Sequence, residues 1–134
     1  MEPRYSKTFR VILIDPYLRS ITEHQVAGSD MKLLVPAQSH HMFRIADYGQ
    51  SMDYGVVDGA ALTREKPIHA FEFRGFPAPI GGRCLVYGAS KLDGKTCDAM
   101  FSVEVLRTCV CWVGRILPRI KQTNKRAVVI WRRI

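Results

Sequence analysis

Short runs of β-branched and aromatic residues, each stopped by proline, glycine or a cluster of turn formers, make up most of this chain. Phe9 to Asp15 (FRVILID) is one such run, and it ends at Pro16, which cannot continue a strand ladder. Ser20 to Val26 alternates Ile21, Glu23 and Gln25 with Thr22, His24 and Val26, the pattern of a strand returning in a hairpin. Met42 to Ala46 and Tyr54 to Asp58 flank the loop formers Asp47, Gly49, Ser51 and Asp53 and predict a second hairpin. His69 to Phe73 alternates strictly, with Ala70 and Glu72 on one face and His69, Phe71 and Phe73 on the other, which reads as a half-buried strand. Cys84 to Tyr87 is a buried strand, and Leu92 to Lys95 carries the Asp-Gly of a tight turn.

Two short helices fit between these strands. Ser29 or Asp30 can cap one over Met31 to Val35, ended by Pro36 because the residue before a proline avoids the α region. Ser102 caps the other over Val103 to Arg107, with Glu104 in the first turn, where the helix dipole favours a negative charge. Thr108 to Val113 continues that helix or begins a strand, and Pro118 interrupts the pattern beyond it. Ile116 to Lys121 and Ala127 to Trp131 then flank Gln122 to Arg126; the contiguous Val128, Val129 and Ile130 favour a C-terminal hairpin or added strand over a basic helix. The expected fold is α+β, mainly antiparallel sheet with one or two short helices. At 134 residues the chain fits a single domain over 1–134, with a compact body at about 8–113 and a basic C-terminal element at 114–134.

Charge changes this picture more than composition does. Between Val105 and Ile134 there is no acidic residue but there are eight bases, Arg107, Arg115, Arg119, Lys121, Lys125, Arg126, Arg132 and Arg133. Residues 1–104 carry twelve Lys/Arg and twelve Asp/Glu, so the net +8 is 0 from the body plus +8 from the tail. Charge of one sign concentrated in this way makes a directional field that attracts polyanions. Arg115, Arg119, Lys121, Lys125, Arg126, Arg132 and Arg133, with Trp131 to stack, are therefore the candidate binding residues for DNA, RNA or an acidic protein. Trp112 is a second candidate stacker. No helix-turn-helix, zinc-finger, homeodomain or RNP signature accompanies them.

Other candidate chemistry is thinner. Cys109-x-Cys111, with Cys84, Cys97 and the His40-His41 pair, lacks the paired knuckles of a structural zinc site, so the cysteines read as reduced core thiols and no metal or cofactor is expected. His24, His40, His41 and His69 could supply a general base with Asp15, Asp47, Asp53 or Asp58, yet none stands at a spacing that defines a reaction, and no catalytic residue is assigned. Gly75, Pro77, Pro79, Gly81 and Gly82 lie in a stretch with the composition of a phosphate cradle. Its prolines delete the N–H donors such a nest uses, so it reads as a fixed corner between strands. No apolar run approaches the roughly 18 residues of a membrane span, and MEPRYSKTFR has no apolar core after its charges, which points to the cytoplasm.

Three stretches carry a family resemblance. Tyr54-Gly-Val-Val-Asp58-Gly59-Ala-Ala-Leu62, then His69-Ala-Phe71-Glu-Phe73-Arg-Gly75-Phe-Pro77-Ala-Pro79-Ile-Gly81-Gly-Arg83-Cys-Leu85-Val86-Tyr-Gly88, then Asp93-Gly94 with Ser102 to Val113, resemble a group of small bacteriophage and mobile-element proteins of unknown function. The resemblance covers about residues 54–113 and brings no catalytic residue with it. It implies a non-enzymatic binding protein that acts in the host cytoplasm on a host protein or nucleoprotein machine, as an anti-defence inhibitor of a CRISPR effector does. A plain basic nucleic-acid-binding module is the alternative; a small hydrolase or metal enzyme built on His40, His41 and nearby Asp residues is the second. A homodimer through the AVVIW strand is a further expectation on the partner side.

Overall fold

The computed structural model describes residues 7–134; residues 1–6, most of the segment read above for an export signal, lie outside it. Among the described residues ten strands pair antiparallel into two sheets. They are β1 (Thr8–Asp15), β2 (Ser20–Ala27), β3 (His40–Asp47), β4 (Ser51–Asp58), β5 (Ile68–Phe73), β6 (Ile80–Gly81), β7 (Cys84–Ser90), β8 (Thr96–Cys97), β9 (Val110–Gln122) and β10 (Ala127–Arg133). The first sheet runs β2-β1-β7-β4-β3, with β8 added beside β7; the second runs β10-β9-β5-β6.

The α+β expectation is overturned: this is a β-rich, two-sheet fold. Among the described residues only two helical segments of seven residues each interrupt the strands, a 3-10 helix at Gly28–Leu34 and α1 at Val103–Cys109. The first is not capped by Ser29 or Asp30; its N-cap is Ala27, with no side-chain hydrogen bond, and without a cap it stays a short 3-10 turn. The second is capped as its sequence indicates, Ser102 Oγ accepting from Val105 N–H. Isolated helices this short are not self-supporting, and both are held by the apolar residues they place against the sheets, Met31 and Leu106.

Why β1 reads as a continuous apolar run follows from its position. Ile12 and Ile14 face the central core with Phe71, Phe73, Cys84, Val86 and Leu106, whereas Val11 faces a second cluster with Met31, Val35, Val56 and Leu85. Burying both faces removes any need for polar alternation. The same logic corrects the half-buried reading of β5. Phe71 joins the central core and Ala70 a third cluster with Val113, Ile116 and the partly buried Leu62, Ile68 and Trp131, so only Glu72 is exposed.

Crossing from the first sheet to α1 depends on two residues facing each other, Asp53 of β4 and Gly88 of β7. Asp53 is fully buried and accepts from the N–H groups of Met100 at 3.0 Å and Phe101 at 2.9 Å, with the Tyr48 hydroxyl at 3.5 Å. At Gly88 a Cβ would lie 2.4 Å from the Asp98 carbonyl oxygen, so only glycine lets the backbone pass so close.

Pro118 does not end β9, a thirteen-residue strand. Thr123 N–H donates to Arg126 C=O and Ile134 N–H to Arg115 C=O, so the odd-numbered residues of β9 bond to β10 and the even-numbered ones point away. Pro118 pairs with Trp131 in a non-bonded position, and β5 stops opposite Ile116. Its missing N–H faces the side of β9 that no strand pairs beyond Ile116, where proline costs no ladder bond. Nearer the start of β9, Val113 is an extra residue between the Ala70–Gly114 and Phe71–Trp112 pairs, a bulge followed by Gly114 at φ +79°.

Candidate docking surface

The C-terminal element is a hairpin, β9 and β10 closed at Thr123-Asn124-Lys125-Arg126, where Thr123 Oγ1 donates to Arg126 C=O at 2.6 Å. Lys125 and Arg126 sit at its tip. Because directly opposed residues share a face and successive residues alternate, register sorts the remaining bases. One face carries Arg115, Leu117, Arg119 and Lys121 from β9 with Val128, Ile130 and Arg132 from β10. Every opposed pair on it joins one cation to one aliphatic side chain: Leu117 with Arg132, Arg119 with Ile130, Lys121 with Val128. Ile130 is 48% exposed at the middle of this checkerboard.

Trp131 and Arg133 stand on the opposite face with Ile116, Pro118, Ile120 and Val129. Trp131 is packed against Ala70, Val113 and Ile116, and Trp112 lies against the central core, edge-on to Phe71 at 6.1 Å between ring centres. The structure thus brings four of the candidate bases onto one face, sends two to the tip, and uses both tryptophans in packing. Glu65, in the left-handed region at φ 53°, anchors the opposite side by accepting from Ile120 N–H at 2.7 Å.

Electrostatics separate the hairpin from the body. The four ion pairs among the described residues are Arg10–Glu23, Arg64–Asp58, Arg83–Asp15 and Lys91–Asp47, all within the body. None of the hairpin bases has a carboxylate within salt-bridge distance among these residues, so their field reaches solvent uncompensated.

Beside the hairpin lies a groove of about 330 Å³ that sequence reading did not find. Its walls are Phe76 to Gly81, the segment Val57 to Thr63 apart from Ala60, His41 and Phe43 of β3, and Val129 of β10. The glycine- and proline-rich corner forms one wall. Gly75 (φ 93°) and Gly82 (φ 78°) turn the chain in the left-handed region, and Gly82 N–H closes the corner on His69 C=O at 2.9 Å. Phe76 stacks edge-on against Phe43 at 4.6 Å and beside Phe73 at 5.5 Å, fixing Pro77 and Pro79 at the rim. These wall residues come from strands far apart in the chain, and no local spacing announces them.

The candidate polar chemistry is spoken for locally. His40 Nε2 is 2.7 Å from Val35 C=O, Asp58 pairs with Arg64 at 2.6 Å, and Asp15 holds the β1–β2 turn by accepting from Tyr17 and Leu18 N–H. Among the described residues no histidine hydrogen-bonds to a carboxylate, and no three His, Cys, Asp or Glu groups cluster as metal ligands. The four cysteines are free: Cys84 is buried, and desolvation pushes its thiol up to about 12, while Cys111 is exposed on β9. Cys109 ends α1 and Cys111 lies in β9, so the two do not share one strand face. No described helix is long and apolar enough to cross a membrane.

Compared with protein-family models, curated proteins and solved structures, the chain matches none.

Proposed function

We propose that this is a non-enzymatic docking protein whose C-terminal hairpin seats on an acidic surface of a protein partner. The observation that carries the reading is the mixed face of the hairpin, where each cation is opposed by an aliphatic residue and Ile130 stands exposed among Arg115, Arg119, Lys121 and Arg132. Protein interfaces combine an apolar centre with a polar, charged rim. A surface built to bind single-stranded nucleic acid would instead interleave cations with exposed aromatic rings, and both tryptophans here are engaged in packing. The resemblance of residues 54–113 to phage and mobile-element proteins supports a partner in a host nucleoprotein machine, met in the host cytoplasm, with an anti-defence role of the kind CRISPR inhibitors perform.

Salt separates this reading from direct nucleic-acid binding. Phosphate contacts weaken log-linearly with salt through counterion release, whereas an interface with an apolar centre keeps much of its affinity. Purified protein stripped of nucleic acid is titrated against single- and double-stranded DNA and RNA at low and near-physiological salt. The expected result is weak binding at low salt that disappears at the higher one. Micromolar binding that persists would replace the docking reading with a nucleic-acid module. Partner capture from host lysate, lost on replacing Arg115, Arg119, Lys121 and Arg132 together with Ser and also on Ile130→Ser, completes the test; capture indifferent to both variants refutes it.

A further inference from the structure

We infer that the free edge of β10 and the groove beside it accept an extended segment of the partner as an added strand, apolar on one face and acidic on the other. This rests on the docking reading for the sign of the partner's charge; the geometry is separate. The odd-numbered residues of β9 bond to Val128, Ile130 and Arg132, so the N–H and C=O groups of Val129 and Trp131 point away from β9. Among the described residues these outward groups have no hydrogen-bond partner. Such an edge is a template for strand addition, in which main-chain bonds give affinity and pockets for alternate side chains give specificity.

Val129 forms part of the groove wall, with Leu62, Thr63, Pro77 and Pro79 among its other lining residues. In a strand laid along β10, side chains on the face shared with Val129 lie on the groove's side of the sheet. Those on the other face lie beside Val128, Ile130 and Arg132, within reach of Arg119. One face of the incoming strand therefore lies on the side of the apolar cavity, and the other meets Val128, Ile130 and Arg132 with the cations Arg119 and Lys121 one strand beyond. A second copy paired through β10 about Val129 would set Lys125 opposite Arg133 and Arg126 opposite Arg132, and opposed like charges destabilise that register.

The test uses a fluorescein-labelled synthetic peptide alternating Glu and Leu, with two controls: the same composition arranged in blocks, and Lys in place of Glu. Anisotropy measures binding to the full chain, and amide hydrogen exchange reads the edge. Binding of the alternating peptide alone, with slowed exchange at the Val129 and Trp131 amides, is the expected result. Val129→Pro, which removes an outward N–H and leaves the β9 ladder intact, should weaken binding at least about tenfold. Val129→Lys, which keeps the backbone donor and puts a charge at the groove lip, should also weaken it; circular dichroism establishes that each variant is folded.

Three results overturn the inference: no binding of the alternating peptide, binding without protection of those amides, or equal binding of the block peptide. Protection of the same amides by protein concentration alone, with a dimer in sedimentation, assigns the edge to a second copy and overturns it as well. Peptide binding that leaves the β10 amides unprotected spares the docking face, whereas partner capture unaffected by the four-base variant refutes the face and leaves the edge result standing.

Discussion

Replacing Asp53 with Ala removes the acceptor for two backbone donors, Met100 and Phe101, inside a site with no solvent exposure at Asp53 itself. Hydrogen bonds to a charged group contribute about 1.5–3 kcal/mol each, so two donors set a range of about 3–6 kcal/mol. The two amides are only partly buried, which lets water recover some of the loss and places the expected cost near about 3 kcal/mol. Against a total stability of about 5–15 kcal/mol that is a large fraction. Urea denaturation followed by tryptophan fluorescence should show the midpoint falling by about 1.5 M, taking a slope of about 2 kcal/mol per M. Asp53→Asn keeps one acceptor oxygen and should lose about half as much. A stability change under about 1 kcal/mol for the Ala variant, or an Asn variant as unstable as the Ala one, would refute the view that this carboxylate pins the crossing to α1.

Gly88→Ala should destabilise the same crossing by more than about 2 kcal/mol, because the new methyl meets the rigid Asp98 carbonyl at 2.4 Å; thermal melting checks it, and an unchanged melting point counts against the geometry. Limited iodoacetamide labelling at neutral pH, read by mass spectrometry, should modify exposed Cys111 well before Cys84, whose buried thiol is held protonated. Burial raises both Cys84, from 9.0 to about 12, and Tyr48, from 10.0 to about 12, the latter also through the neighbouring Asp53 charge. Folded values above the unfolded ones mean a contribution fully present below about pH 9 and lost as pH rises toward 12, so urea midpoints should fall across that window and not below it. Glu65→Ala should loosen the hairpin without unfolding the core, seen as faster exchange of the Ile120 amide it now holds at 2.7 Å.

Much of the strand layout was legible because its signals are local. Pro16 stops β1, Tyr48 to Gln50 make the β3–β4 turn within the expected loop although Ser51 to Asp53 already belong to β4, and Val128-Val129-Ile130 cannot sit comfortably as a helix. The Ser102 cap was legible and is where α1 begins, whereas Ser29 and Asp30 lie inside the 3-10 segment whose N-cap is Ala27; two seven-residue helical segments beside ten strands are too little helix for an α+β fold. Pro118 was misread because its tolerance depends on which neighbour strand has already ended, a fact of register and not of composition. The bases were legible as a group, yet their division between face, tip and far side was not. That division depends on pairing, as does the groove, whose walls meet only after β3, β4, the 75–82 corner and β10 are assembled.

The bulge at Val113 acts as a phase shifter. Had Val113 paired regularly with Ala70 instead of bulging, with Trp112 still opposite Phe71, Gly114 would face His69 and Arg115 would fall opposite Ile68. Each later residue of β9 would then move to the other side of the sheet. Arg115, Arg119 and Lys121 would be driven toward Leu62 and Ile68, while Ile116, Pro118 and Ile120 would be turned out to water. One inserted residue thus lets a single strand serve as core wall in its first half and carry a cationic face in its second. Strand parity, rather than any particular side chain, decides whether this protein presents a cationic face at all.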